Sequence, residues 1–201
     1  MLRQRSNNFD FVDIGTSDFD TSVDFLKPGQ KVLLVEPLKY YLDRLPDGPG
    51  IFKANYAIST KIRTGYMFYV EEELIHKYGL PNWIRGCNSF NKRHPTVVRL
   101  FNELGLSLDL ISKQRVNAKP FKSLIKDFRI LRIEFLKIDT EGYDHIILEE
   151  VLELMKKGLK IKQIRVEYNP FFRNTRKLDQ LINESSYSQA YLVEDNVVIQ
   201  F

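Results

Sequence analysis

The side chains best suited to chemistry stand where apolar runs end. Asp13 and Gly15 close Phe9-Asp10-Phe11-Val12-Asp13-Ile14-Gly15, and Glu36 follows Lys31-Val32-Leu33-Leu34-Val35. Asp139-Thr140-Glu141-Gly142 follows Glu134-Phe135-Leu136-Lys137-Ile138, and Glu167-Tyr168-Asn169 follows Ile164-Arg165-Val166. In open α/β sheets, ligands bind outside the carboxyl ends of the strands, where the two halves of the sheet diverge. Asp13 to Asp18, Glu36-Pro37, Ala57-Ile58-Ser59, Asp139 to Gly142 and Glu167 to Asn169 are therefore the positions to read for a site.

Glu36 stands about twenty residues beyond Gly15, the spacing at which a carboxylate accepts hydrogen bonds from the ribose hydroxyls of an adenosine. The first loop bears on which adenosine. Asp13-Ile14-Gly15-Thr16-Ser17-Asp18-Phe19-Asp20 has one glycine and three carboxylates. A pyrophosphate needs glycines, free backbone N–H donors and little negative charge, so this loop disfavours it. S-adenosylmethionine carries no phosphate and presents cationic amino and sulfonium groups, which suit an acidic loop. The competing reading is that Asp18 and Asp20 only cap a helix.

The elements that must position these residues alternate along the chain. Strands are expected at Phe9 to Ile14, Lys31 to Val35, Ile51 to Ile58, Arg63 to Val70, Leu108 to Val116, Glu134 to Ile138 and Ile164 to Glu167. Helices are expected at Thr21 to Leu26, after Pro37, at Glu71 to Tyr78, Thr96 to Leu104, Phe121 to Phe128, from Ile146 to Met155 and at Arg173 to Asn183. Ala190 to Phe201 reads as a hairpin turning near Glu194-Asp195-Asn196. The pattern predicts an α/β fold with an open, mostly parallel sheet covered by helices and a C-terminal antiparallel hairpin. An irregular stretch at 79–95 interrupts it, holding Trp83, Cys87 and His94.

The 201 residues, 43% of them hydrophobic, suit a single domain spanning 1–201. Thirty Lys and Arg against 26 Asp and Glu leave a formal charge of +4, which neither demands nor excludes an anionic partner. Cys87 is the only cysteine, so an intramolecular disulfide is excluded, and the thiol reads as a small hydrophobe. No apolar stretch has the roughly 20 residues of a membrane span, and no signal-peptide core is visible. A cytoplasmic protein is expected.

Phe11-Val12-Asp13-Ile14-Gly15, Val35-Glu36-Pro37, Asn55-Tyr56-Ala57-Ile58-Ser59, Phe135-Leu136-Lys137-Ile138-Asp139-Thr140-Glu141-Gly142-Tyr143-Asp144 and Val166-Glu167 resemble, in order, the motifs of the FkbM-type methyltransferases. The resemblance spans roughly Phe9 to Asn169, and Leu-Lys-Ile-Asp-Thr-Glu-Gly is its most specific part. It implies a class I, Rossmann-like methyltransferase fold with helices on both faces of a seven-stranded sheet whose last strand is antiparallel. It also implies S-adenosylmethionine as methyl donor and O-methylation, often of sugars or sugar-containing metabolites. Carried onto this chain, Asp13 and Gly15, with Thr16, Ser17 and Asp18 of the same loop, line the methionine end. Glu36 and Pro37 lie at the ribose, Ala57 and Ile58 flank the adenine, and Asp139 closes the pocket near the transferable methyl. The family's first loop usually has a further glycine or two where this chain has Phe19 and Asp20.

Methyl transfer is an in-line displacement, helped by alignment and by a base that takes the acceptor's proton. Asp139 and Glu141, two residues apart at a strand end, are the candidate bases, with His145 as a weaker candidate. The alternative is that Asp139 only binds cofactor and Glu141 caps the following helix. Trp83, Arg85, Asn88, Ser89 and His94, in the irregular segment, are the candidates for acceptor recognition, since aromatic faces, amides and guanidinium groups are what sugar or nucleotide binding uses. Asp139, Glu141, Glu167 and Asn169 carry hard oxygen donors of the kind Mg²⁺ prefers, but nothing in the spacing fixes a geometry, and the histidines lack zinc spacing. No required metal is expected. The leading expectation is an S-adenosylmethionine-dependent O-methyltransferase acting on a small-molecule or glycan hydroxyl. The alternatives are an RNA ribose methyltransferase, allowed by the mild basicity although no single-stranded binding module is visible, and a non-catalytic binding or scaffold protein of the same fold.

Overall fold

The computed structural model describes residues 7–18, 21–168 and 175–201. Phe19, Asp20, Asn169 and Arg173, all named above, lie outside the described residues. Seven strands form the main sheet: β1 (Asn7–Ile14), β2 (Val32–Val35), β3 (Ile51–Ala54), β8 (Ile130–Ile138), β9 (Lys160–Glu167), β10 (Gln189–Val193) and β11 (Asn196–Gln200). Their spatial order is β10-β11-β9-β8-β1-β2-β3. β1, β2, β3, β8 and β9 run parallel, and β11 slots between β9 and β10, antiparallel to both. The expected hairpin is thus present, and its second strand, not its first, joins the parallel block.

β2, Val-Leu-Leu-Val, is buried throughout, and alternation along it separates two cores. Leu33 and Val35 join the larger one, with Val12, Ile14, Leu136 and Ile138 of the neighbouring strands. Helices α4 (Phe121–Phe128), α5 (Asp144–Lys156) and α6 (Thr175–Asn183) cover that face with Phe121, Leu124, Ile147, Leu148, Val151 and Leu178. Val32 and Leu34 face the other way, against Leu42 of α1 (Lys39–Arg44) and Leu45 just after it, with Val23 and Leu26 of a 3-10 turn. Helices therefore lie on both faces. No helix among the described residues is long and apolar enough to cross a membrane.

A second sheet was not foreseen. The expected strand at Ile51 to Ile58 breaks at Asn55, whose Nδ2 donates to the carbonyls of Glu36 (2.9 Å) and Pro37 (3.1 Å). Only the first half stays in the main sheet, as β3. The second half, β4 (Ala57–Ile58), pairs in parallel with β7 (Ser112–Lys119), and β5 (Arg63–Tyr69) and β6 (Ser89–Phe90) complete a sheet in the order β4-β7-β5-β6. Helices α2 (Glu72–Tyr78) and α3 (Pro95–Glu103) pack beside it around Ile75, Ile84, Val97 and Phe101. The irregular stretch 79–95 thus contains β6 and a 3-10 turn at Asn82–Arg85, and it belongs to this second layer.

β1 is where the sheet order reverses, with β2 on one side and β8 on the other. A cleft must open there, beyond the carboxyl ends of the strands.

Candidate active site

That cleft is a cavity of about 330 Å³, within the range of small-molecule sites. Its floor is the ends of β1, β2 and β8, with Gly15, Ser17, Glu36, Pro37, Asp139 and Glu141. One wall comes from the small sheet through Ala57, Ile58, Met67 and Phe90, and the opposite side from Glu167 and the β10–β11 turn. Tyr143 bridges floor and wall. Its ring meets Phe90 edge-on at 5.5 Å between centroids, and its hydroxyl accepts a hydrogen bond from Arg63 (3.0 Å).

Gly15 adopts φ +80°, and a Cβ there would overlap the carbonyl oxygen of Asp139. Its N–H donates to the Val35 carbonyl (2.9 Å), while Asp139 N–H donates to the Ile14 carbonyl (3.0 Å). Three strand ends are thereby stitched together at one glycine. Only a residue without a Cβ fits.

Glu36 is buried, and each carboxylate oxygen accepts one backbone hydrogen bond, Oε1 from Leu38 N–H (2.8 Å) and Oε2 from Ser17 N–H (3.1 Å). Burial pushes its carboxyl up to about 7, against the lowering effect of those two donors. A carboxylate offers about four lone-pair positions. Two remain, enough for the two hydroxyls of a ribose.

Beyond β8, three carboxylates converge: a carboxylate oxygen from each of Asp139, Glu141 and Glu167 lies within 4.8 Å of the others. Lys137, two residues before Asp139 and on the same strand face, places Nζ 3.5 Å from Asp139 Oδ2. Glu141 is held above the usual carboxylate range by burial and by the charges of Asp139 and Asp144. Asp144 ties down the loop between them, accepting from Thr140 N–H (2.8 Å), Thr140 Oγ1 (3.1 Å) and Gly142 N–H (2.9 Å). Its burial raises it to about 6.

Cys87, His94 and Glu141 also approach one another within 4.8 Å. His94 is the N-cap of α3, and its Nδ1 accepts the Thr96 N–H (3.2 Å). The ring proton of neutral His94 therefore sits on Nε2, which donates to Glu141 Oε2 at 2.9 Å. Burial lowers the ring to about 4, keeping it neutral. An Nε2 that carries a proton is a hydrogen-bond donor, not a metal ligand.

The residues expected from sequence are thus divided. Gly15, Ser17, Glu36, Pro37, Ala57, Ile58, Asp139, Glu141 and Asn88 line the cavity. Asp13, Thr16 and Asp18 do not. Asp13 is buried and accepts from Thr16 Oγ1 at 3.4 Å, and the Thr16 and Thr21 hydroxyls lie 2.8 Å apart, so that Thr21 donates to Thr16 while Thr16 donates to Asp13. Asp18 faces Arg85 (2.7 Å) and Arg44 (2.8 Å), and Arg44 also pairs with Glu72 (2.8 Å). Asp18 is therefore met by arginines and Asp13 lies off the cavity, and the described carboxylates facing the cavity come from later strand ends and the β10–β11 turn. His145 lies away from the cavity, on the side of α5 where Glu149 and Lys177 are its charged neighbours. Trp83 is exposed and borders a separate groove with Glu72 and His76. Arg85, Ser89 and His94 stand behind the cavity as supports, Ser89 Oγ donating to the Glu141 carbonyl (3.1 Å).

Sequence reading missed Lys137, Arg165, Met67, Phe90 and Tyr143 as lining residues. Lys137 carried a readable signal, since alternation places it on the face of Asp139. Met67 and Phe90 carried none, because their place depends on a sheet formed by distant segments.

A family model described as the methyltransferase FkbM domain matches residues 11–189 of the chain. No curated protein and no solved structure gives a significant match. The matched span takes in the small sheet, the parallel strands of the main sheet from Phe11 onward and every described side chain of the cavity floor, and the chain belongs to the FkbM methyltransferase family.

Proposed function

We propose that this methyltransferase uses S-adenosylmethionine and transfers its methyl group to a hydroxyl oxygen of a small or sugar-like acceptor. The observation that carries the reading is the cavity itself, with a doubly anchored Glu36 at one end and the Asp139–Glu141 pair at the other. The residues fit the cofactor. Gly15 leaves the floor open, Glu36 keeps two acceptor positions for ribose hydroxyls, and apolar Ala57 and Ile58 suit an adenine face. Carboxylates dominate the far end, which disfavours a phosphate and suits cationic groups.

When bound, S-adenosylmethionine supplies an electrophilic methyl on a sulfonium. The chain's own residues supply position and a proton acceptor. Glu141 is the better base, since burial and the neighbouring Asp139 and Asp144 hold its carboxyl above the usual range, and the ionised form of such a carboxyl takes a proton more strongly than an ordinary one. Asp139, paired with Lys137, orients the acceptor beside it. The reading places the protein in the cytoplasm and invokes no metal.

Calorimetry with S-adenosylmethionine and S-adenosylhomocysteine is the first test, and the absence of binding by either at millimolar concentration would end this reading. Transfer of labelled methyl to pools of glycans, small sugars and RNA then identifies the acceptor class. Labelling of RNA alone would replace the sugar reading with a ribose methyltransferase.

A further inference from the structure

We infer that His94 is a positioning residue that holds the Glu141 carboxylate in its working orientation, so that the 79–95 segment acts on the acceptor through Glu141. The inference rests on the proposed role of Glu141 as base. His94 is 3% exposed, and both ring nitrogens are committed. Thr96 N–H fixes the tautomer at Nδ1, and the remaining N–H points at Glu141 Oε2, 2.9 Å away. The main chain of Glu141 is gripped from the same segment, its carbonyl accepting from Ser89 Oγ. Glu141 itself sits at φ +54°, a conformation that a non-glycine residue keeps only where its surroundings impose it. With Oε2 engaged, Oε1 is the oxygen left for an acceptor hydroxyl.

A bland account also fits the ring: His94 simply caps α3. The two jobs use different nitrogens, so they are separable. Asparagine places an acceptor near the Nδ1 position and can keep the cap, but it is too short to reach Glu141. Glutamine places an amide N–H near the Nε2 position and can keep the Glu141 bond, but it loses the cap. If positioning is the role, His94→Asn disturbs Glu141 and His94→Gln rescues it. If capping is the whole role, the order reverses.

The test needs no acceptor. In the full chain labelled with [13Cδ]glutamate, Glu141→Gln assigns the Glu141 resonance, and its midpoint is followed by NMR. The ionisable groups facing that carboxyl are Asp139, Asp144, Glu167, Cys87 and His94, with Lys92 beside His94. All are retained in both variants except His94. Losing a donor to the charged form raises a carboxyl, so His94→Asn is expected to shift the midpoint up by about one unit, and His94→Gln by a few tenths. Equal shifts in the two variants, or no shift in His94→Asn, would overturn the inference. Once an acceptor is known, His94→Asn should lower kcat about tenfold or more with KM for S-adenosylmethionine unchanged, and His94→Gln should restore most of it. A raised KM with kcat unchanged would count against positioning. A wild-type protein that binds no S-adenosylmethionine would remove the functional reading, and the NMR midpoints would still decide whether His94 controls Glu141.

Discussion

Gly15 and Asp139 meet back to back, with the α-carbon of one against the carbonyl of the other, where β1 and β8 leave the sheet. The contact sets how far the two halves of the cavity floor stand apart. Gly15→Ala places a methyl group into backbone at a positive φ, combining steric overlap with conformational strain. The expected loss of stability is at least ~2–3 kcal/mol, read as a lowered urea midpoint. A variant of wild-type stability would mean that the two loops do not touch in solution.

Glu36→Ala should weaken S-adenosylhomocysteine binding tenfold or more in calorimetry while circular dichroism stays native. One lost charge-assisted contact of ~1.5–3 kcal/mol corresponds to that factor. Unchanged affinity would move the ribose elsewhere.

The same carboxyl makes stability depend on pH. Its folded value of about 7 lies above the reference 4.5, so the protonated form is favoured by folding. The contribution is fully present below pH 4.5 and is lost as pH rises through 7, amounting to roughly 3 kcal/mol. Urea unfolding of the ligand-free protein at pH 5 and pH 8 should show the decline, and Glu36→Ala should flatten it. Cofactor hydroxyls donate to the ionised form, so affinity should strengthen over the same interval.

Replacing either carboxylate at the far end tests the chemistry. Glu141→Gln is expected to lower kcat by about 10²–10⁴-fold with cofactor affinity retained, the usual worth of a positioned base. Activity should also survive EDTA. Loss of transfer on chelation, regained with Mg²⁺, would assign the Asp139–Glu141–Glu167 trio to a cation.

Cys87 should resist alkylation. Burial, with Glu141, Glu167 and Asp139 nearby, pushes its thiol far up, so little thiolate exists at pH 8. Iodoacetamide labelling, followed by mass spectrometry, should be much slower in the native chain than in urea.

The floor of the site was legible in the sequence because it is local. A strand end, a glycine and a carboxylate at a set spacing identify Gly15, Glu36 and Asp139, and the main sheet follows from alternating apolar runs. The wall was not legible, because β4 leaves the main sheet at Asn55 to pair with β7, some sixty residues on, and no short-range pattern announces such a pairing. Asp18 misled for a related reason. Its acidity looked available to a ligand, but Arg44 and Arg85 arrive from separate segments to neutralise it. His94 was placed in the right neighbourhood with the wrong contact, since its tautomer is visible only once Thr96 and Glu141 are both in position.

The left-handed backbone at Glu141 sets folding against reactivity at a single residue. Glycine would adopt φ +54° freely, and it would also remove a buried acid crowded by Asp139 and Asp144. Glu141→Gly relieves the strain but leaves the buried His94 Nε2–H without its acceptor, effects of similar size, so its urea midpoint should stay within about 1 kcal/mol of the native chain while transfer falls at least as far as in Glu141→Gln. The strained backbone at Glu141 is thus held from outside, by the Ser89 hydroxyl on its carbonyl and the His94 ring on its carboxyl, and not by the residue's own preference.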